Sequence, residues 1–371
     1  MTNKTLHIVS LDVPFPADYG GAIDIYYRIK ALHELGYKIT LHCFEYGRGK
    51  QKELERITSC VYYYKRKKRI FDLVRKKPFI VQSRSSDALL QNLLQDGAPI
   101  LFEGLHTTFC LADVRLNNRV KLVRTHNVEH HYYEGLAKKA SGLQKYYFRS
   151  EARKLKKHEK ILKNADHLLA IQKNDFDYFS ALHNSVHLLH AAFPENSNSE
   201  HQDTKPYCLF HGNLSIPENK SAAFWMLKTF KKIPDIPLII AGKNPSKDLI
   251  NACRNQGVTL EINPDSIQMK SILRSARAHV FYTDQPTGLK LKLLAALQTS
   301  GHIIATPEMT KGTTLDTLCA ISDTRDSFIG QILGLFPEPM TQDAFLARKK
   351  YLEQNFNTKE NCEIIGELIR N

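Results

Sequence analysis

Two lysines close behind a glycine are the residues of this chain best suited to binding an anion. The segment 284–297 reads as a loop, then Gly288, then a leucine-rich helix with Lys290 and Lys292 in its first turn. A lysine there is unfavourable by a few tenths to about 1 kcal/mol, because the start of a helix is already positive. A phosphate held by the free N–H groups would remove that cost. From these residues alone, two solvated lysines are an equally good interpretation.

Two further strand ends in the second half of the chain carry glycine. One predicted strand ends at Gly212 and Asn213, and Lys220 opens the helix that follows it. The next strand ends at Gly242. A diphosphate needs such a combination of N–H donors and cations. The combination predicts a phosphate site more specifically than any one of its parts does.

The first strand–helix junction also carries a glycine pair, Gly20 and Gly21. Two glycines let backbone N–H groups approach a phosphate closely, although a glycine pair is also ordinary turn chemistry. The junction is neither a G-x-G-x-x-G fingerprint nor a Walker A loop, which argues against dehydrogenases and NTPases.

The segment from Arg124 to His131 lies where a predicted strand runs into a helix. In one interpretation His126 and Asn127 hydrogen-bond a sugar hydroxyl. In a second, His126 to His130 forms an H-x-x-E-H zinc motif. That site needs both histidines on one helix face, whereas the strand pattern places His126 before the helix. In a third, Asn127 caps the helix, which is compatible with the sugar contact.

Two other motifs have weaker functional interpretations. Asp175 and Asp177 resemble a D-x-D metal clamp, but acidic residues are expected at the start of a helix anyway. The segment 103–106 could line a binding cleft, and a plain turn explains it equally well. We expect helix-capping and turn roles for these residues.

Strands and helices alternate in both halves of the chain, which is typical of parallel α/β sheets. The predicted strands are 6–13, 38–46, 59–64, 99–105, 121–127, 167–172, 185–193, 206–214, 236–242, 258–263, 278–283 and 302–307. The segment 194–206 is polar and without periodicity, as in a linker. We therefore expect an N-terminal Rossmann-like domain over 1–195, a linker over 196–206 and a second such domain over 207–340. The segment 341–371 is helical and could pack back across the domains.

The net charge of +14 lies almost wholly in the first half, where residues 1–190 carry 32 basic and 19 acidic side chains. Its densest run is Lys65, Arg66, Lys67, Lys68 and Arg69. Such a run attracts phosphates of a membrane surface, a lipid-linked substrate or a nucleic acid. No window could span a membrane and no leader is evident. The seven scattered cysteines fit a reducing compartment. We expect a cytoplasmic protein that is peripheral at the inner face of the membrane.

Taken together, these segments resemble the retaining glycosyltransferases of the GT-B fold, group 1 type, and more closely their bacterial cell-surface polysaccharide branch. The resemblance rests on the Gly-Gly loop, RTHNVEHHYY, FHGNLSIPENKSAAFWML and TGLKLKLLAALQTSGHIIATP. It spans roughly the whole chain in a consistent order. It implies an α/β protein with two Rossmann-like domains that face each other across a cleft.

The resemblance also implies roles for individual residues. His126 would contact the transferred sugar as the catalytic residue, and the other residues would bind the donor. The implied donor-binding residues are Gly20, Gly21, Asn127, Gly212, Asn213, Lys220, Gly242, Thr287, Gly288, Leu289 and Lys290. The family's E-x(7)-E motif falls on Thr287 and Ala295, so both carboxylates are missing, and Asn213 stands where arginine is common.

The expected reaction is transfer of a sugar from a nucleotide-sugar to a glycan or lipid-linked glycan, with retention of configuration, no cofactor and no metal. The basic run Lys65 to Arg69 would face the acceptor or an anionic membrane surface. Alternatives are a GT-B nucleotide-sugar epimerase and an inactive nucleotide- or glycan-binding module. No nucleic-acid-binding module is recognised, and no nucleic-acid partner is expected.

Overall fold

The computed structural model describes residues 4–67, 76–194, 200–284 and 290–370. The chain divides into two compact units. Unit 1 is Met1–Phe193 together with Phe356–Asn371, and unit 2 is Pro194–Asn355. The end of the chain therefore belongs to the same unit as its beginning.

Unit 1 is built on a seven-stranded sheet with the order β3-β2-β1-β4-β5-β6-β7. All six strand pairings are parallel. The strands are β1 (Thr5–Ser10), β2 (Lys38–Glu45), β3 (Cys60–Lys65), β4 (Ile100–Glu103), β5 (Lys121–Thr125), β6 (His167–Ala170) and β7 (Val186–Leu188).

Helices connect these strands, as parallel pairing requires. They are α1 (Gly20–Glu34), α2 (Lys52–Ile57), α3 (Phe79–Gln82), α4 (Asp87–Leu93), α5 (Glu129–Lys139), α6 (Gly142–His158), α7 (Lys173–Ser180) and, from the end of the chain, α15 (Thr358–Leu368). Short 3-10 segments lie at Leu105–Cys110, Val114–Leu116 and Glu159–Asn164.

Local sequence explains how α1 ends and how α15 is held. Gly36 follows α1 with φ +84°, a left-handed conformation that terminates a helix at little cost for glycine. α15 packs on α1, where Cys362 lies in an apolar cluster with Ile29 and Leu32. A Cβ added at Gly366 would lie 2.3 Å from the Tyr37 hydroxyl, so a side chain there would displace the tyrosine.

Unit 2 is built on a six-stranded sheet with the order β10-β9-β8-β11-β12-β13, also parallel throughout. The strands are β8 (Lys205–Asn213), β9 (Leu238–Lys243), β10 (Thr259–Ile262), β11 (Ala276–Phe281), β12 (His302–Ala305) and β13 (Ala320–Ile321). The helices are α8 (Pro217–Phe230), α9 (Lys247–Asn255), α10 (Ser266–Ser275), α11 (Leu291–Leu297), α12 (Pro307–Thr310), α13 (Arg325–Leu335) and α14 (Gln342–Asn355), with a 3-10 turn at Leu315–Leu318.

Each predicted strand has an observed counterpart, usually shorter by a few residues at its carboxyl end. The helix predicted over 288–299 differs more. It begins at Leu291, with Lys290 as N-cap in a non-helical conformation (φ −85°, ψ 89°). The prediction that both lysines lie in its first turn is therefore wrong, because only Lys292 does.

Fully buried aliphatic and aromatic residues cover both faces of each sheet, as expected for parallel strands. In the part of the chain that the structure describes, every helix is too short or too polar to cross a bilayer.

Candidate functional site

The strand orders show where each sheet is most able to bind a ligand. In unit 1 the order reverses between β1 and β4, and in unit 2 it reverses between β8 and β11. Open α/β sheets bind ligands beyond the carboxyl ends of their strands at such reversal points. The residues that follow these four strands are therefore the first candidates.

In unit 2, Glu218 in the first turn of α8 is the centre of a small polar cluster. Its Oε1 accepts hydrogen bonds from the Thr283 hydroxyl, just after β11, at 2.6 Å and from the Lys290 amine at 3.0 Å. Burial alone would raise the pKa of Glu218, but Lys290 and the Thr283 hydroxyl hold it below its ordinary value. The carboxylate thus anchors one of the predicted phosphate-binding lysines at the end of β11.

Lys292 lies in the same region without a carboxylate contact among the described residues. Its Nζ donates to Asn219 Oδ1 at 2.8 Å and lies 5.2 Å and 5.9 Å from the ring centres of Phe210 and Phe281. Desolvation lowers the pKa of the amine to about 8 although Glu218 acts in the opposite direction. An amide oxygen and two rings stabilise a cation less than an anion would. A bound phosphate would therefore stabilise the charged form of this lysine.

The glycines at the end of β8 and β9 are explained by backbone packing. A Cβ at Gly242 would lie 1.8 Å from the carbonyl oxygen of Gly212, so that position admits no side chain. A Cβ at Gly212 would come within 3.1 Å of Asn219, whose amide also donates to the Asn213 carbonyl at 3.0 Å. Close approach of this kind brings Asn219 against the strand end.

Two more predicted donor-binding residues in unit 2 already have protein partners. Asn213 Oδ1 accepts from the N–H and hydroxyl of Ser215, at 3.1 Å and 2.7 Å. The Lys220 amine lies 2.8 Å from Asp248 Oδ2 in a solvent-exposed ion pair. Thr287, Gly288 and Leu289 lie outside the described residues.

In unit 1, the predicted glycine pair begins α1. Gly20 is its first residue, and a Cβ at Gly21 would lie 3.2 Å from the Tyr19 ring. The Tyr19 hydroxyl donates to Asp12 Oδ2 at 3.0 Å, which links the N-cap of α1 to the start of the loop after β1. Burial is the main cause of a raised pKa at Tyr19, and the negative charge of Asp12 raises it further. The hydroxyl therefore keeps its proton and remains a hydrogen-bond donor.

His126 follows the last residue of β5 and pairs with the last residue of β4. Its Nε2 lies 2.8 Å from Glu103 Oε2, with the carboxylate fully buried and the imidazole about one-tenth exposed. The α5 helix begins only at Glu129, and Asn127 hydrogen-bonds the Glu129 side chain. The sequence interpretation of 103–106 as a plain turn missed the Glu103 contact.

Glu103 belongs to a buried ionic network that we call the Asp24 network: Asp24, Arg28, Glu103 and Arg124. Arg28 donates to Glu103 Oε1 at 3.1 Å and also contacts Asp24, which Arg124 reaches at 2.9 Å. Asp24 accepts a further bond from the Ala192 N–H at 2.7 Å. Burial opposes ionisation, but the two guanidinium groups hold the pKa of Asp24 far below its ordinary value. The sequence did not reveal this network, because its four residues come from three segments that are far apart along the chain. These segments are one helix and two strands, in which the neighbouring residues are mostly apolar.

Asp24, Glu103 and His126 are also the one group of described residues whose donor atoms are close enough to suggest a metal, all within 4.8 Å of one another. Both carboxylates already accept hydrogen bonds from guanidinium groups, which explains their proximity without an ion. The H-x-x-E-H motif does not converge, because His130 Nδ1 instead lies 2.7 Å from Glu159.

A second set of buried acids lies beside this edge of unit 1. Glu129 is 3.8 Å from His106 Nδ1, and burial raises its pKa to about 8. Burial likewise raises the pKa of Asp175 to about 6, whereas Asp177 is exposed and pairs with Lys173 at 2.5 Å. The two acids of the D-x-D motif therefore lie in different environments rather than forming a clamp.

Only part of the basic run 65–69 is described, since Lys68 and Arg69 lie outside the described residues. Lys65 ends β3 and is exposed. Arg66 donates to Ser83 Oγ at 3.0 Å and stacks over the Tyr46 ring at 4.6 Å, while Lys67 reaches Ser85 at 3.5 Å.

We compared the sequence and the fold of the chain with those of known proteins. No family model matches the chain. The chain is 27% identical over 329 residues to an uncharacterized 44.6 kDa protein in the cps region of Klebsiella pneumoniae, covering 82% of this chain and 84% of that protein. The two parallel-sheet α/β domains match glycosyltransferases of the GT-B fold.

TarM superposes with a TM-score of 0.73 at 10% identity, over 100% of this chain and 99% of TarM. A variant of S. aureus TarM in complex with Fondaparinux, alpha-GlcNAc-glycerol and UDP has a TM-score of 0.69 at 10% identity, over 99% and 100%. An O-GlcNAc transferase variant of Thermobaculum terrenum has a TM-score of 0.56 at 14% identity, with 99% of this chain and 66% of that chain covered. At such identities the likeness shows the fold.

Proposed function

We propose that the protein is a glycosyltransferase that transfers a sugar from a nucleotide-sugar to a surface-glycan acceptor. The observation that carries the proposal is the polar cluster at the reversal point of the unit 2 sheet, where Lys290 and Lys292 meet the ends of β8 and β11. A GT-B fold and two lysines at that point suit a nucleoside diphosphate. The UDP in the TarM complex supports a uridine nucleotide as the first donor series to test.

Within this proposal, Lys290 and Lys292 stabilise the leaving diphosphate. Lys220, Asn213, Gly212, Gly242, Thr287, Gly288 and Leu289 complete the donor site. In unit 1, Gly20, Gly21 and Asn127 are further donor contacts, and His126 hydrogen-bonds the transferred sugar. The catalytic effect would come from preorganised charge and positioning, not from a protein nucleophile. We further propose retention of configuration and no metal requirement, on the resemblance to the group 1 enzymes.

The cps-region relative supports a capsule or other cell-surface glycan as the acceptor. A lipid-linked acceptor and a cytoplasmic location at the inner face of the membrane fit the basic half of the chain. Liposome flotation tests this part. Binding to anionic vesicles should weaken with salt and fall when Lys65, Arg66, Lys67, Lys68 and Arg69 are changed to glutamine. Equal binding to neutral and anionic vesicles would contradict it.

A thermal-shift panel of nucleoside diphosphates and nucleotide-sugars tests the donor site directly. A ligand at about 100 times its Kd should stabilise the folded protein by about 2.7 kcal/mol. We expect one nucleotide series to stabilise the wild type and to have less effect on Lys290→Ala. Turnover of that series only when acceptor is added would identify a transferase, whereas turnover without acceptor would identify an epimerase.

The missing E-x(7)-E carboxylates favour one alternative, an inactive nucleotide- or glycan-binding module. Thr287 and Ala295 stand at the two positions, so the chain lacks the family's ribose-binding carboxylate. Stabilisation by a nucleotide without turnover on any acceptor would support the module. Stabilisation by none of the nucleotides would reject the donor site itself.

A further inference from the structure

The contact between Glu103 and His126 determines which nitrogen of the imidazole carries the hydrogen. Glu103 is the last residue of β4 and lies opposite Arg124 in the β4–β5 pairing, so its carboxylate is held by the sheet. It is fully buried, and its two oxygens are shared between two partners. Oε1 accepts from Arg28 Nε at 3.1 Å, and Oε2 lies 2.8 Å from His126 Nε2.

The Asp24 network keeps this carboxylate ionised. Burial alone would raise the pKa of Glu103, but the Arg28 guanidinium and the hydrogen bond with His126 lower it. An ionised carboxylate only accepts hydrogen bonds. The hydrogen in the contact at 2.8 Å must therefore be on Nε2 of the imidazole. In the neutral ring the other nitrogen, Nδ1, then carries a free lone pair.

We propose that Glu103 is a positioning residue that holds His126 in the Nε2–H tautomer, so that Nδ1 accepts a hydrogen bond from a hydroxyl of the bound sugar. Among the described residues no hydrogen bond occupies Nδ1, and the ring is about one-tenth exposed. Gly104 follows Glu103 directly, and the lack of a side chain there leaves room for the Cδ2 edge of the ring. A Cβ there would lie 3.5 Å from His126 Cδ2 and 3.0 Å from His106 Nδ1. The sugar in this inference rests on the proposed function, whereas the tautomer does not.

The same unit contains a natural control with the opposite geometry. Glu159 Oε1 lies 2.7 Å from Nδ1 of His130, and its other oxygen accepts from the Tyr178 hydroxyl at 2.7 Å. A carboxylate at Nδ1 favours the Nδ1–H tautomer. Two buried Glu–His pairs in one unit should therefore have opposite tautomers.

Long-range ¹H–¹⁵N correlation spectra of the full-length protein, labelled at histidine, read the tautomers directly. Signals are assigned with His126→Gln and His130→Gln. We expect Nε2–H for His126 and Nδ1–H for His130 in the wild type. Glu103→Gln should shift His126 away from the pure Nε2–H form and leave His130 unchanged, and Glu159→Gln should do the reverse. An Nδ1–H form of His126 in the wild type, or an unchanged tautomer in Glu103→Gln, overturns the inference.

If Glu103→Gln does not fold, the wild-type spectrum still decides the tautomer. Two substitutions of His126 then test whether Nδ1 accepts a hydrogen bond from the sugar. The Gln amide reaches the place of Nε2, whereas the Asn amide reaches the place of Nδ1. We expect His126→Asn to retain about tenfold more kcat/KM than His126→Gln, because about tenfold is the value of one hydrogen bond. Equal loss in both, with UDP affinity unchanged, contradicts the Nδ1 contact. Absence of turnover in the wild type would instead count against the proposed function and leave the tautomer assignment standing.

Discussion

The two units place charge at the carboxyl ends of their central strands in opposite ways. In unit 1, Arg28 and Arg124 contact the buried carboxylates of Asp24 and Glu103, so the positive charges are balanced from within. In unit 2, the Lys292 amine has a neutral amide oxygen and two aromatic rings as its partners. A balanced network gains little from an arriving anion, whereas a desolvated cation gains much. The contrast fits a structural role for the unit 1 network and the anion site that we propose in unit 2.

Removing an anion from the Asp24 network should have the largest effect on stability. Asp24→Asn leaves two buried guanidinium groups short of an anion, so we expect a loss of about 3–5 kcal/mol in the free energy of unfolding. Urea unfolding of the whole chain is followed by far-UV circular dichroism, to which the helices of both units contribute. Fluorescence of Trp225, the single tryptophan, reports unit 2 and should detect a later transition in the variant.

The matched control is Asp177→Asn, which removes the exposed ion pair with Lys173 in the same unit. It should change the free energy of unfolding by less than about 1 kcal/mol, as exposed pairs do. Similar losses in Asp24→Asn and Asp177→Asn would mean that the network contributes no more than a surface pair.

In unit 2, Lys290→Ala should lower turnover by about tenfold or more, which corresponds to about 1.4 kcal/mol of lost stabilisation of the leaving diphosphate. The variant also leaves Glu218 without its cation, and this carboxylate would then repel a phosphate. The double variant Lys290→Ala/Glu218→Gln should therefore recover part of the loss. Steady-state rates with the donor from the thermal-shift panel measure both effects.

Lys232→Ala is the control for this pair of variants, because it removes an exposed ion pair with Asp326 in the same unit. Its turnover should equal that of the wild type. Unchanged turnover in Lys290→Ala would remove this lysine from the proposed site, and no recovery in the double variant would remove the role of Glu218.

Much of the fold could be predicted from the sequence, because parallel strands are continuous apolar runs. The runs at 100–103 and 302–305 are typical, and both became strands. The limits of elements were harder to predict. Lys290 follows the helical pattern but adopts a non-helical conformation and contacts Glu218, a tertiary interaction that no local pattern contains.

The sequence predicted glycines and Lys290 for the candidate site, and these remain predictions, whereas the side chains that contact Lys290 and His126 were not predicted. Asp24 and Arg28 are four residues apart on α1 and resemble an ordinary exposed helix pair, although both are fully buried. Glu103 comes within reach of His126 only because β4 and β5 pair in register. Contacts of this kind depend on the strand order, and periodicity along a single segment cannot reveal them.

The smallest expected effect concerns the protonation of Lys292. Its pKa is about 8 in the folded protein against an ordinary 10.5, so below about pH 8 the cost of the desolvated charge is fully present. Between these two values the unfolded chain binds the proton and the folded chain does not, so the free energy of unfolding should rise with pH. Between about pH 8 and 10.5, the free energy of unfolding of the wild type should rise by about 1 kcal/mol more than that of Lys292→Met. The full pKa difference would give a larger value, but partial exposure of the lysine reduces it.

A bound diphosphate should reverse this preference, because an anion near the amine favours its charged form. Binding of UDP near pH 8.5 should therefore take up protons in the wild type and not in Lys292→Met. Titration calorimetry in two buffers of different ionisation enthalpy measures that uptake. Proton uptake that is the same in both proteins would show that the anion is held elsewhere. The contrast between a balanced unit 1 and an unbalanced unit 2 would then no longer identify the donor site.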